Sequence, residues 1–424
     1  MRRTLTLLHR WVGLTIAGFL FVSGMTGAVI SWDHELDDVL NPHLMAVSSR
    51  SPPIASLELK HLIEARDPRI SVTYVPLDAE AGRSLAFGVQ PRVDPATGDE
   101  LGRREWGAAW PITRATFVSF LYKLHYSLHL PEFWGTDRWG LWLLGGIAAL
   151  WTIDCFVGFV LTLPARHADD PQRPAPVARQ LARGWLTRWK PAWRVRVSGS
   201  AFRLSLDLHR ASGLWLWGLV FVLAFTAFSL NLYREVFHPL MSMVSPVTPS
   251  PFDTRQPAEP HRPIAPRIDL AEAIARAQQE AQRRAWIEPA GAAAYDARYG
   301  IYSVLFFHPG DDHGAAGVGP ARLYMDGSDG RLLGDRLPWT GTAADVFVQA
   351  QFPLHSGRIL GLPGRILVSA MGLVVAMLSV TGVVVWHRKR RARRALAARQ
   401  AMIPLRSPRA EAQSVRAAMM SRDT

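Results

Sequence analysis

One cysteine, Cys155, stands in 424 residues, so no intrachain disulfide is possible and a disulfide-stapled scaffold is excluded. Catalytic signatures are missing as well. No Ser/His/Asp arrangement, His-Glu-x-x-His pair or phosphate-binding loop suggests a hydrolase or an ATPase. Charge is scarce where it matters most: four stretches of about twenty residues, the length that crosses a bilayer, hold one charge well inside them, Asp154. A disordered chain is excluded by the 49% hydrophobic content. The formal charge of +13 alone would suit a nucleic-acid binder, but the apolar runs do not, and no nucleic-acid partner is expected.

The four runs are Trp11 to Trp32, Trp139 to Leu163, Ser212 to Tyr233 and Arg365 to Trp386, with Trp and Tyr gathered at their ends as interfacial anchors. The first is too long for the apolar core of a secretion signal, and no convincing cleavage site precedes Trp32, so it is read as a span. Residues 1–10, 164–208 and 387–424 together hold 23 Lys and Arg against five acids; the remainder holds 25 against 30. The basic excess therefore falls on one side of a four-span topology, and the positive-inside rule makes that side, with both termini, cytoplasmic. Arg179–Arg203, with Trp185, Trp189 and Trp193 interleaved, is expected on the anionic lipid surface. A multi-pass protein of a bacterial inner membrane is the expectation. Its segments are 1–33 (N-terminus and first span), 34–138 (outer), 139–163 (second span) and 164–208 (basic loop). Then follow 209–233 (third span), 234–361 (outer), 362–387 (fourth span) and 388–424 (basic tail).

The two halves repeat. Leu8-His9-Arg10-Trp11-Val12-Gly13-Leu14 matches Leu208-His209-Arg210-Ala211-Ser212-Gly213-Leu214 at an offset that also carries Thr26 onto Thr226 and Glu35 onto Glu235. Asp94-Pro95-Ala96-Thr97-Gly98 answers to Asp326-Gly327-Ser328-Asp329-Gly330, and Leu124-His125 to Leu354-His355. Each half thus reads as one span out, one outer domain and one span back, with no broken helices. The outer regions read as two small α+β units. Helices are expected over Ile54–Ala65 and Ile268–Ala285, the second with Asp269 as N-cap. Strands are expected at Ser71–Pro76, Leu85–Val89, Tyr302–Phe307 and Arg322–Tyr324, hairpins at the Asp-x-x-x-Gly stretches, and linkers at Pro171–Pro176 and Val244–Pro266.

Of fourteen histidines, four recur in both halves. His9 and His209 open the outward spans; His125 and His355 precede the inward ones. Each membrane face thus receives a symmetry-related pair. Paired imidazoles on facing helices suit an iron porphyrin, supplying axial ligands without net charge, and Gly13, Gly18, Gly213, Gly218 and Gly372 would let a flat macrocycle approach. The same glycines also suit helix packing. Zinc fits less well, because the pairs lack the further ligands of a closed site. His129, four residues after His125, is an alternative ligand, and His387, after the last span, could compete with His9 or His209. His34, His43, His61, His167, His238, His261, His308 and His313 have no counterpart in the other half and read as surface or local structural residues. Asp154 reads equally as a proton or hydrogen-bonding partner inside the bundle and as a side chain satisfied by a nearby threonine.

With these residues in hand, the His-Arg-x-x-Gly-Leu openings, the paired Asp-x-x-x-Gly hairpins, Leu354-His355-Ser356-Gly357 and Thr381-Gly382 leading to Trp386 resemble the PepSY-associated transmembrane family. Its members include iron-regulated inner-membrane proteins and ferric-siderophore reductases such as ferrioxamine reductase. The resemblance spans about residues 5–390. It implies an integral membrane α-helical protein with four transmembrane helices in two tandem repeats and two periplasmic α+β PepSY-like domains. It also implies two b-type hemes on membrane histidines and reduction of Fe(III) in siderophores, with Fe(II) released in the periplasm. His9, His209, His125 and His355 sit where the family's motif histidines sit; their pairing as His9 with His209 and His125 with His355 follows from topology. Ala227 departs from Gly27. No reductase domain is fused, so the electron donor would be a quinol or a separate cytoplasmic reductase. The competing expectation is a non-redox membrane protein that binds a periplasmic peptide, protease or transporter partner.

Overall fold

The computed structural model describes residues 1–49, 51–88, 91–164, 184–259, 261–311 and 313–401. His167, the Pro171–Pro176 linker and most of the basic tail lie outside them. Three helices are long and apolar enough to cross a membrane: α1 (Arg2–Ile30), α5 (Trp139–Thr162) and α10 (Gly361–Ala401). The expected third span differs. It is two helices, α6 (Ala201–Trp215) and α7 (Trp217–Asn231), bent by 76° at Leu216, and a fourth crossing exists only if that pair is one span. At 15 residues α7 is about 22 Å long, short of a ~30 Å hydrocarbon core on its own. The tryptophans flanking the break point to different anchors: the Trp215 indole donates to the Trp193 carbonyl, and the Trp217 indole to the Cys155 carbonyl on α5. A hydropathy window sums across such a bend and does not register it.

Two helices bring the remaining repeat histidines to the bundle. α4 (Arg114–Ser127) and α9 (Ala343–Ser356) each start with a threonine capping box, Thr113 with Thr116 and Thr342 with Asp345, and end in a left-handed residue, Leu128 and Gly357. Both place their histidine in the last turn. α1 packs on α10 with backbones in contact: a Cβ built on Gly24 would meet the Gly372 carbonyl oxygen at 2.6 Å. α5 packs on α7 around Cys155, Val220, Ala224 and Met371, so Cys155 is a core thiol. Repeat symmetry also explains the two glutamates. Glu35, in α2 (Asp33–Leu40), accepts from Arg365 at 2.6 Å, and Glu235 accepts from Arg138 and the Trp142 indole at 2.8 Å. Each arginine stands where an inward helix begins.

Beyond the bundle, α3 (Ser56–Arg66) and α8 (Leu270–Arg283) form as expected, and Asp269 caps α8 by accepting from the Glu272 amide. The strands are β1 (Tyr74–Pro76), β2 (Leu85–Ala86), β3 (Arg92–Val93), β4 (Glu100–Gly102), β5 (Ala290–Asp296), β6 (Ile301–Phe306), β7 (Ala321–Asp326) and β8 (Leu332–Arg336). β3–β4 and β7–β8 are joined by the two Asp-x-x-x-Gly turns, in which Gly98 and Gly330 adopt φ near +70° and donate to the Asp94 and Asp326 carbonyls at 2.8 Å. The outer regions are not separate units, however. β1, from the first, joins the sheet of the second in the order β1-β5-β6-β7-β8, pairing Val75 with Ala293. The remaining strands form a small sheet, β2-β3-β4. Leu57, Leu77 and Leu270 pack against both apolar cores. A three-residue strand cannot bury its face alone, and borrowing a neighbouring sheet covers it.

Candidate functional site: two facing histidine pairs

The four repeated histidines meet in two pairs. His9 and His209 lie with ring centroids 6.1 Å apart and planes 55° apart at the end of the bundle that carries the N-terminus; His125 and His355 lie 6.1 Å and 52° apart at the end facing the sheets. Each ring is fixed through Nδ1 by a neighbouring helix. His125 donates to the Ser23 carbonyl at 3.0 Å and to Thr26 Oγ1 at 3.1 Å on α1. His209 donates to the Leu378 carbonyl at 3.0 Å and to Thr381 Oγ1 at 3.2 Å on α10. Thr226 Oγ1 on α7 accepts from His355 at 2.9 Å, its own hydrogen going to the Val222 carbonyl at 2.7 Å. His9 donates to both oxygens of Asp154 on α5, each at 3.0 Å. A carbonyl or carboxylate can only accept, and the Thr226 hydroxyl already gives its hydrogen to Val222, so Nδ1 carries the hydrogen in every ring and in the neutral imidazole Nε2 keeps a lone pair. That is the tautomer an axial metal ligand needs, with its other nitrogen held by a polar partner.

The spacing fits an iron atom between the rings. Two metal–imidazole bonds of about 2.0–2.1 Å, with roughly 1.1 Å from each nitrogen to its ring centre, put the centroids about 6.2–6.4 Å apart. Direct ring stacking would bring them closer. Among the described residues no three or more His, Cys, Asp or Glu converge as a bare-metal cluster; an iron porphyrin asks the protein for only two ligands.

A cavity of about 780 Å³ surrounds His9 and His209, within the size range of cofactor pockets. Gly13 and Gly213 line it and face open space. Arg2, Arg10, Arg210, Lys389 and Arg390 also line it, and the Nε atoms of Arg10 and Arg210 are buried without a hydrogen-bond partner. Unsatisfied guanidinium donors beside an apolar slot suit the two carboxylates of a b-type porphyrin.

Other residues take different places. Gly372 serves helix packing, and Gly18 and Gly218 meet nothing within 4 Å. The glycines that do touch a ring are Gly27, Gly158 and Gly382, whose Cβ would come within 2.9, 3.4 and 3.1 Å of His125, His9 and His209. At Gly27 and Gly382 this approach leaves little room for a side chain, whereas the matching position beside His355 carries the methyl group of Ala227. Thr26, Thr226 and Thr381 were visible in the repeat and the motif, but only the folded backbone shows that they hold histidines. His129 is not on the face of His125: α4 ends at Ser127, Leu128 and His129 take positive φ, and His129 Nε2 is engaged with the Phe120 carbonyl at 2.9 Å. His387 is exposed and joins neither pair. His34 and His313, one from each outer region, meet with centroids 4.9 Å apart. Asp154 bonds His9 rather than a threonine; the nearby Thr152 donates to the Ala148 carbonyl.

A second cavity, of about 620 Å³, lies between the outer regions and the bundle. His34, Arg83, Arg104, Trp106, Tyr122 and Gly310 are among its walls, and Tyr122 sits one helical turn before His125.

No curated protein matches the chain. The sequence model of the PepSY-associated TM region, by contrast, matches residues 6–389, taking in all four paired histidines and the helices that hold them, and on that match the chain belongs to the PepSY-associated transmembrane family.

Proposed function

We propose that this chain is a bacterial inner-membrane reductase that releases Fe(II) from ferric siderophores on the periplasmic side, with both termini in the cytoplasm. In this reading His9 and His209 hold one heme b near the cytoplasmic face, and His125 and His355 hold a second near the periplasmic face. When bound, the two groups supply one-electron carriers that divide a ~30 Å hydrocarbon core into shorter intervals. The observation that carries the reading is the repeated 6.1 Å ring separation, found at both ends of the bundle with every Nδ1 tied to an acceptor.

The chain's own residues have defined parts. Ser23, Thr26, Thr226, Leu378, Thr381 and Asp154 orient the imidazoles, so no ring has to reorganise. Arg10 and Arg210 offer donors to carboxylates at the cytoplasmic end. The outer cavity beside Tyr122 is the seat we assign to the ferric chelate, within one helical turn of the periplasmic pair. Each Fe(III) accepts one electron and becomes Fe(II), which a siderophore holds more weakly. A quinol, giving up two electrons and two protons, would serve two chelates; a cytoplasmic reductase is the other class of donor.

The test is to reduce the purified protein with dithionite, remove the excess, and mix it anaerobically with a panel of ferric siderophores. Reoxidation of the heme spectrum with at least one chelate, together with capture of Fe(II) by a ferrous-specific dye, is the expected result. Heme-loaded protein that stays reduced with every chelate would contradict siderophore reduction. A protein that binds no heme would leave the non-redox binding reading in its place.

A further inference from the structure

Three of the four rings sit in one kind of cradle. A helix offers a backbone carbonyl at position i and a threonine hydroxyl at i+3, with a small residue at i+4. These are Ser23, Thr26 and Gly27 for His125, and Leu378, Thr381 and Gly382 for His209; for His355 the hydroxyl is Thr226, followed by Ala227. The fourth cradle, on α5, keeps the small residue, Gly158, whose Cβ would lie 3.4 Å from the His9 ring. Its i+3 position is Val157, which has no hydroxyl, and its i position is Asp154. There the side chain, not the backbone, takes the hydrogen bond, with both carboxylate oxygens 3.0 Å from Nδ1. Asp154 is 8% exposed, buried at mid-helix in a span, where an ionisable residue is costly to keep and needs a partner.

A carboxylate and a neutral acceptor do different things to an imidazole. The carboxylate draws the Nδ1 hydrogen toward itself and loads negative charge onto the ring, which makes Nε2 the more basic ligand. A more basic axial ligand favours Fe(III) over Fe(II), and low surrounding dielectric strengthens the effect. We propose that Asp154 is a positioning residue that sets the potential of the His9/His209 site below that of the His125/His355 site, so that the direction favoured across the membrane is outward. This rests on the heme reading above. Basic residues lining the inner cavity act in the opposite sense. They are unchanged when Asp154 alone is altered, so a substitution there reads the carboxylate's effect by itself.

The test is a spectroelectrochemical titration of the heme-loaded full-length protein, wild type against Asp154→Asn and Asp154→Glu. The wild type is expected to titrate in two steps. Asp154→Asn should move the lower midpoint upward and leave the higher one in place, and Asp154→Glu should restore a value near wild type. A double variant, Asp154→Leu with Val157→Thr, rebuilds the neutral cradle of the other three rings and should bring the two midpoints together. Unmoved midpoints in Asp154→Asn, or a double variant that keeps the wild-type separation, would overturn the proposal. So would loss of the inner heme from both variants, since the carboxylate would then be holding His9 rather than tuning it. Absence of heme from the wild type would instead overturn the reading on which the proposal stands.

Discussion

Alanine at His355 is expected to halve the heme content of the purified protein and to reduce ferric-siderophore reduction to background. Alanine at His9 is expected to halve it as well, with the other half lost. The two variants should nonetheless be distinguishable. His355 shares its site with His125, one helical turn from Tyr122 in the wall of the outer cavity, so its loss should leave a spectrum that is reducible from the donor side but not reoxidised by chelate. His9 shares its site with His209 inside the other cavity, so its loss should leave a spectrum still reoxidised by ferric siderophore. Neither loss can be repaired by the nearby imidazoles. His129 is turned away and bonded through Nε2 to Phe120, and His387 is exposed beyond the pair. Heme quantification and reoxidation kinetics on the two variants check both outcomes; two hemes retained in either would break the ligand assignment.

Leucine at Gly24 is expected to be strongly destabilising, because it would force the backbones of two spans apart. The Gly24 Cβ position lies 2.6 Å from the Gly372 oxygen, and the Gly372 Cβ position 2.5 Å from the Gly24 oxygen, so neither helix has a side chain that could move aside. Overpacking of this sort costs about 1–3 kcal/mol where side chains can adjust, and more where backbones must part. The damage should reach both histidine pairs, because α1 carries Ser23, Thr26 and Gly27 while α10 carries Leu378, Thr381 and Gly382. A lower thermal midpoint in detergent together with loss of both hemes is the expected signature. Gly18→Ala is the control: its Cβ meets nothing within 4 Å, and alanine improves helix propensity by about 1 kcal/mol, so stability should be unchanged or raised. Equal behaviour of the two variants would show that the Gly24–Gly372 contact does not organise the bundle.

Much of this site was legible in the sequence because a repeat converts position into geometry. Leu8-His9-Arg10 and Leu208-His209-Arg210 share a local pattern, and two copies of one pattern in a pseudo-symmetric bundle must face each other or diverge. The Asp-x-x-x-Gly hairpins were legible for a local reason as well, since Gly98 and Gly330 take positive φ in turns of adjacent residues. What escaped the sequence depends on distant partners. The bend at Leu216 is tied to indole anchors on Trp193 and Cys155, far along the chain. β1 pairs with β5 across more than two hundred residues, so the expected boundary between two outer domains is crossed by one sheet. Sequence leaves the role of Asp154 open between two readings because its partner, His9, is 145 residues away, and no local pattern points to it. The threonine cradles are hidden from sequence for the same reason, although Thr26, Thr226 and Thr381 all stand within the repeat or its motifs.

The central claim is that each histidine pair binds one heme. It is tested most directly by counting heme in protein produced with full heme supply, by the pyridine hemochrome method, alongside the low-temperature EPR spectrum of the oxidised protein. Two hemes b per chain, both low-spin with two imidazole ligands, is the result the paired rings require. Protein that carries no heme, or whose iron is high-spin at both sites, would contradict it.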